Sequence, residues 1–406
     1  MIALIAIGAS AIHKQLRDGN DFPLYWQAAR DLLAGRSPYQ VGAGLHGYVY
    51  LPWFALLLAP MALLPLPVAA TVWYAANVAF TWLAGRALIG ALRDAGMRAR
   101  GDALALATLP LVALFHDNLV LGQANLFLLW LVALSVRAAT RGRESPARAA
   151  ALGLAGALKM PAAVLLAPLA LRGRPRAVAG FLLGATLALG LPFFVTGIPV
   201  GARLLDEWRS QVAAPAAAGT LQGSKVIDQS PQAALRRLLV SEPAFGDHAV
   251  NVAALAPSSF AAVSRAASAA LFAAYLTVWL FAPARDRPRA LLVDLALGCC
   301  AMVQLTGFSL KAQFVVLLLP AWLAAAIASE RRGGVSRALL GAAGALFLLS
   351  QPGLVGRTAS NLLLAYSSMA LGTLLLAGSL AWFRFTAVTP PPSAGPAGAP
   401  GTGTVP

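Results

Sequence analysis

The sequence predicts an all-α protein that crosses a membrane many times and carries amphipathic helices outside the bilayer. Three observations predict it. Hydrophobic residues make up 59% of the 406-residue chain and charged residues only 11%, against about 25% charged in an ordinary soluble domain. The apolar residues come in runs of about 20, long enough to cross roughly 30 Å of hydrocarbon. Unpaired backbone groups are costly in lipid, so such runs fold as helices. A soluble fold would need a polar outer layer, and the chain has too few polar residues to build one. The net charge of +16 sits in short arginine clusters between the runs, which reads as membrane topology and not as a nucleic-acid surface. Cys299 and Cys300 are adjacent and no CxxC spacing exists, so neither a redox nor a zinc site is supported.

In chain order, MIALIAIGASAI reads as a short first span or as the remainder of one that the recorded start cuts off. No lysine or arginine precedes His13 and no small-residue cleavage site is evident, which argues against a signal peptide. Further apolar runs cover 50–66, 68–89, 102–115, 124–139, 149–171, 177–197, 259–282, 290–307, 312–328, 336–352 and 361–382, giving roughly ten to thirteen membrane segments. Pro65 and Pro67 separate the second and third. Pro161 interrupts 149–171 just after Lys159 and breaks or kinks that run. Arginine excess at 137–148, 172–176, 285–289 and 330–337 marks the cytoplasmic side. The two long polar stretches, about 14–47 and 198–258, are balanced in charge and are expected outside, with the connections near 116–123, 308–311 and 353–360. The arginines of 86–100 break this scheme if two full spans lie between 50 and 89. A re-entrant segment would restore it, and a short hairpin at 149–171 with Lys159 near its tip would solve the same problem there. Residues 1–383 are expected to form one domain. The Pro/Gly-rich tail 384–406 cannot bury apolar area and is expected to be disordered.

The polar residues that break this greasy pattern are the candidates for chemistry. In NDFPLYWQAARDLLAGRSPYQ, residues 20–40, Phe22, Tyr25, Trp26, Ala29, Leu32 and Leu33 recur at three- and four-residue steps and form one apolar helical face. Gln27, Arg30 and Asp31 form the polar face. Such a helix lies along a bilayer surface. Asp21 is placed either to cap the helix or to take a proton from a hydroxyl at the membrane surface. Aromatic faces such as Tyr25 and Trp26 can pack on a sugar or prenyl chain, and Arg30 can hold phosphate. HDNLVLGQANL, 116–126, brings His116, Asp117, Asn118, Gln123 and Asn125 between two spans, where polar groups either tie helices together or form a site. Lys159 in GLAGALKMP either snorkels to headgroups or meets an anionic phosphate. In VIDQSPQAALRRLL, Asp228 and Gln229 precede a basic helix that Asp228 or Ser230 can cap. TGFSLKAQ, 306–313, adds Ser309, Lys311 and Gln313 on the same expected side.

These pieces, together with YLPWFALLLAPMALLPLP, GQANL and LAGALKMPAAVLLAPLAL in that order, resemble glycosyltransferase family 87, formerly a domain of unknown function, over most of residues 20–330. The family comprises polyprenyl-phosphate-mannose-dependent mannosyltransferases and relatives with the GT-C membrane fold. The resemblance implies an inverting transfer of mannose or another hexose from polyprenyl phosphate to a glycan, lipid or protein outside the cytoplasmic membrane. It maps the family's carboxylate base onto Asp21. It leaves Lys159 and Lys311, with Arg30 behind them, to hold the phosphate without a metal or other cofactor. Where many members carry Ser-Trp-x-His-His, this chain has Ser309, Leu310, Lys311, Ala312 and Gln313, which leaves the sugar open. Many members have Asn at the position of Asp228. Two other readings stay beside the enzyme: a transporter or flippase of lipid-linked sugars, and an inactive relative. The enzyme reading expects Asp21, Gln123, Lys159 and Lys311 to line one cavity on the outer face.

Overall fold

The computed structural model describes residues 2–17, 20–39, 47–98, 100–142, 146–217, 225–282, 287–330 and 334–386. Among them there is no β-strand, only isolated bridges such as Asp228–Leu310. Among the described residues, six helical segments are long and apolar enough to cross a membrane: Leu66–Asp94, Gly101–Leu121, Pro175–Thr196, Pro257–Phe281, Lys311–Glu330 and Ser368–Thr386. The chain is therefore an all-α, multi-pass membrane protein. One contiguous buried core runs from Phe22 to Phe383. The last helix reaches Thr386, and the tail from residue 387 lies outside the described residues.

The chain opens with α1 (Ile2–Gln15) and the amphipathic α2 (Asp21–Leu33), which Gly35 terminates at φ 71°. The run at 50–66 does not cross. It folds as two short pieces, α3 (Pro52–Leu57) and α4 (Ala59–Ala62), because Pro52, Pro60 and Pro65 each remove a backbone donor within 14 residues. Only α5 (Leu66–Asp94) spans this region. Of the two alternatives left open there, the structure has the short, non-crossing piece, and the arginines after α5 join the other arginines without conflict.

Next come α6 (Gly101–Thr108), a 3-10 turn at Leu109–Leu111, α7 (Val112–Leu121) and α8 (Asn125–Arg141). Then α9 (Pro146–Leu158) ends at Lys159, whose backbone is extended at φ −141°. A 3-10 turn (Met160–Leu165) and α10 (Leu166–Leu171) lead back. Neither arm is long enough to span alone, so 149–171 is a hairpin with Lys159 at its tip. The hairpin packs closely on α11 (Pro175–Thr196). A Cβ on Gly153 would lie 2.0 Å from the Phe181 carbonyl oxygen, and one on Gly184 would lie 2.0 Å from that of Ala150. Glycine is what lets these two backbones touch.

The remainder comprises α12 (Ile198–Trp208), a π-helical turn at Arg209–Ala213, α13 (Ala214–Ala217), α14 (Pro231–Leu239), α15 (Pro257–Phe281) and α16 (Arg287–Gln304). A 3-10 segment (Lys311–Leu317) then runs into α17 (Leu318–Glu330), followed by α18 (Gly334–Leu349), α19 (Pro352–Val355), α20 (Arg357–Ala365) and α21 (Ser368–Thr386).

Ion pairs define one face of the bundle. Arg141 meets Asp94 at 2.9 Å, Arg289 meets Glu330 at 3.6 Å, and Arg172 and Arg384 both reach Asp294, at 2.8 and 2.9 Å. These contacts gather the ends of α5, α8, α10, α17 and α21 with the start of α16. On the opposite face, α12 docks on the segment after α2. Ser37 Oγ donates to Glu207 at 2.6 Å and Trp208 Nε1 donates to the Val49 carbonyl at 3.2 Å. The start of α2, the α7–α8 turn and the tip at Lys159 all lie on this second face.

Candidate active site

Asp21 occupies the first turn of α2, half-buried, and its carboxylate meets side chains rather than capping the helix. The Lys159 ammonium stands beside it as the nearest opposite charge, and the Gln123 amide and Tyr25 hydroxyl are turned to it as hydrogen-bond partners. Burial raises the Asp21 carboxyl above the ordinary aspartate range, and these three partners pull against that rise. Burial pushes the Lys159 ammonium down to about 8, with Asp21 opposing. A strained charge pair of this kind keeps a carboxylate and a cation together near neutral pH.

Aromatic side chains form the floor. Tyr25 and Tyr50 hydroxyls lie 3.0 Å apart, and Lys159 Nζ sits 5.8 Å from the centre of the Tyr50 ring. Phe22, Phe54 and Trp73 pack around Tyr25. Burial holds both tyrosine hydroxyls well above their usual range, so both stay neutral. The short α3 fixes the hairpin tip, because Trp53 Nε1 donates to the Ala157 carbonyl at 3.3 Å.

Gln123 is set by the turn between α7 and α8. Gly122 adopts the left-handed conformation at φ 69°, and its carbonyl accepts from Trp73 Nε1 at 2.8 Å. Asn125 Nδ2 donates to Gln123 Oε1 at 2.5 Å and to Asn118 Oδ1 at 2.9 Å. With its oxygen so engaged, Gln123 turns its NH₂ to Asp21. Asn118 Nδ2 in turn donates to the Ala312 carbonyl at 2.8 Å. A buried amide chain thus runs from the Lys311–Leu317 segment to the carboxylate. Gln123 and Asn125 thus tie helices together, and Gln123 also stands beside Asp21.

The other named residues fall into separate groups. His116, exposed, and Asp117, partly buried, pair at 3.8 Å, and Lys311 lies close enough to act on the Asp117 charge. Lys311 therefore belongs to a second cluster and not to the Asp21 pair. Gln313 is half-buried two residues further on. Asp228, Gln229 and Ser309 are fully buried. Asp228 Oδ1 accepts the backbone N–H groups of Ser230 and Ser309, each at 2.9 Å, and Gln229 Nε2 donates to the Leu364 carbonyl at 2.8 Å. These three hold the 309–313 segment in place and present no free face to a substrate. Ser230, the N-cap of α14, accepts from the Ala233 N–H at 3.2 Å. Trp26 and Arg30 stack on one another 4.6 Å apart on another side of α2, where Trp26 Nε1 donates to the Leu64 carbonyl. Neither touches the Asp21 group. Tyr50 was not singled out from sequence. Its signal is its place just before Pro52, in a loop that aromatic neighbours hold against α2.

The sequence profile of glycosyltransferase family 87 matches residues 48–306, more than half of the chain. No curated protein and no solved structure matches it. The matched segment includes Tyr50, Gln123, Asn125 and Lys159, while Asp21 and the Ser309–Gln313 segment lie outside it. With its helical membrane architecture and the Lys159 hairpin inside the matched region, the chain belongs to glycosyltransferase family 87 and is a glycosyltransferase.

Proposed function

We propose that the protein transfers a hexose, with mannose the first to test, from a polyprenyl-phosphate donor to a hydroxyl of an extracytoplasmic glycan, lipid or protein, with inversion at C1. The observation that carries this reading is the Asp21–Lys159 pair at the face opposite the arginines. Arginine excess marks the cytoplasmic side, so this face is read as external, at the surface of a cytoplasmic membrane.

In the proposed step, the acceptor O–H gives its proton to the Asp21 carboxylate as its oxygen attacks C1. The C1–O bond to phosphate breaks from the opposite side, and the electron pair leaves on polyprenyl phosphate. Lys159 faces the charge that develops there. Side chains carry that charge in this scheme, with no metal step. Tyr25 and Tyr50, as neutral hydroxyls on aromatic planes, suit the donor sugar, and Lys311 beside Asp117 is the second cation available to an anionic substrate.

The test offers purified protein in lipid nanodiscs a panel of polyprenyl-phosphate sugars with membrane lipid extract and follows the product by mass spectrometry. Asp21→Asn is expected to abolish transfer, a loss of about 10²–10⁴-fold, while donor binding persists. Transfer at the wild-type rate by Asp21→Asn would reject Asp21 as the base and leave the carboxylate a structural role.

A further inference from the structure

A cavity of about 650 Å³ opens between α6, α17 and α18, on the arginine side of the bundle and away from Asp21. Its walls include Leu106, Pro110, Ala325 and Leu340, and among the described residues its charged lining is Arg100, Asp102 and Arg337. The space exists because the facing positions are small. A Cβ on Gly341 would meet nothing within 4 Å, and one on Gly344 would only reach Pro110 at 3.4 Å. The volume falls within the roughly 300–1,000 Å³ of pockets that bury small ligands. Apolar walls of this kind do not retain water, and at membrane depth the available filler is a hydrocarbon chain.

The charges all come from one end of these helices. Arg100 and Asp102 flank the start of α6, and Arg337 lies in the first turn of α18. Asp102 pairs with Arg100 at 2.7 Å, so the described rim residues are two cations and one carboxylate. An apolar slot with a cationic mouth at headgroup level matches an anionic lipid. We propose that this cavity holds an acyl chain of a glycerophospholipid of the arginine-side leaflet, with its anionic headgroup at Arg100 and Arg337. A phospholipid fits better than a donor molecule, since a donor placed for transfer has its phosphate on the other face.

The test incubates the purified full chain with equal amounts of dioleoyl phosphatidylglycerol and dioleoyl phosphatidylcholine and counts retained lipid by native mass spectrometry. Preferential retention of phosphatidylglycerol is expected, with several-fold less in Gly341→Leu, which fills the slot, and in the exposed-site variant Arg337→Gln. Gly378→Leu, on α21 where a Cβ also meets nothing within 4 Å, is expected to retain it. Equal retention of the two lipids, unchanged retention in both cavity variants, or displacement by polyprenyl phosphate at equal concentration would overturn the proposal. The readout is lipid binding, so it stands or fails independently of sugar transfer.

Discussion

At Gly122 a single missing side chain decides where Gln123 points. A Cβ there would lie 2.2 Å from Gln15 Nε2 and 2.6 Å from Phe22 Cβ, at a φ of 69° that L-residues resist. Gly122→Ala is expected to cost about 1–3 kcal/mol and to lower transfer, read by thermal unfolding and product formation. Gly35→Ala is the control, since Gly35 has a similar φ of 71° but nothing within 4 Å of a Cβ, and it should show the strain alone. Asp21 and Lys159 set the pH response. Asp21 must be ionised to accept a proton, and burial raises its pKa, so the ascending limb of the rate profile should lie above the usual aspartate range. Lys159 must be charged, and its pKa is near 8, so the rate should fall as pH rises through about 8. In Lys159→Arg the charge no longer titrates there, and the descending limb should move to higher pH in whatever activity remains.

Among the elements, the 149–171 hairpin carries the site's cation, and its position depends on contact with α11. Gly184→Ala would drive a methyl group to within 2.0 Å of the Ala150 carbonyl oxygen. The expected result is a loss of about 1–3 kcal/mol by overpacking, with lower transfer as the Lys159 tip shifts, measured on the same assays. The hairpin was legible in sequence because Lys159 and Pro161 interrupt an apolar run and arginines flank both ends. The short α3 and α4 were legible only as one of two alternatives, since an apolar run of that length reads as a span or as a re-entrant piece until proline spacing is weighed against it. The amphipathic α2 was legible from its three- and four-residue rhythm, but that rhythm did not show that Trp26 and Arg30 would turn away from Asp21. The Asn118–Asn125–Gln123 chain was legible only as polarity. Its direction depends on which carbonyl of a distant segment, here Ala312, comes to meet it. The roles of Asp228, Gln229 and Ser309 depended in the same way on backbone partners that no local pattern names.

For the whole molecule, the proposed orientation follows from the two faces. Asp294 stands inside an apolar run, where a lone carboxylate is itself a signal. It is fully buried between Arg172 and Arg384 and ties the hairpin foot to α16 and α21. Cysteine substitution checks the topology, because native Cys299 and Cys300 are buried in α16 and give little background. Single cysteines at exposed Arg36 and exposed Arg176 are expected to react with a membrane-impermeant maleimide from opposite sides of sealed vesicles. Reaction of both from one side would refute the proposed arrangement.

The closeness of Lys159 to Asp21 has a consequence for the order of events. In the empty protein the ammonium attends to the enzyme's own carboxylate and holds its proton affinity down. A phosphodiester arriving in the proposed scheme competes for that same ammonium and neutralises it, so Asp21 loses its counter-charge and becomes the stronger base. The proton acceptor is thus sharpened by the cargo it is to act beside, and stays subdued while the site stands vacant.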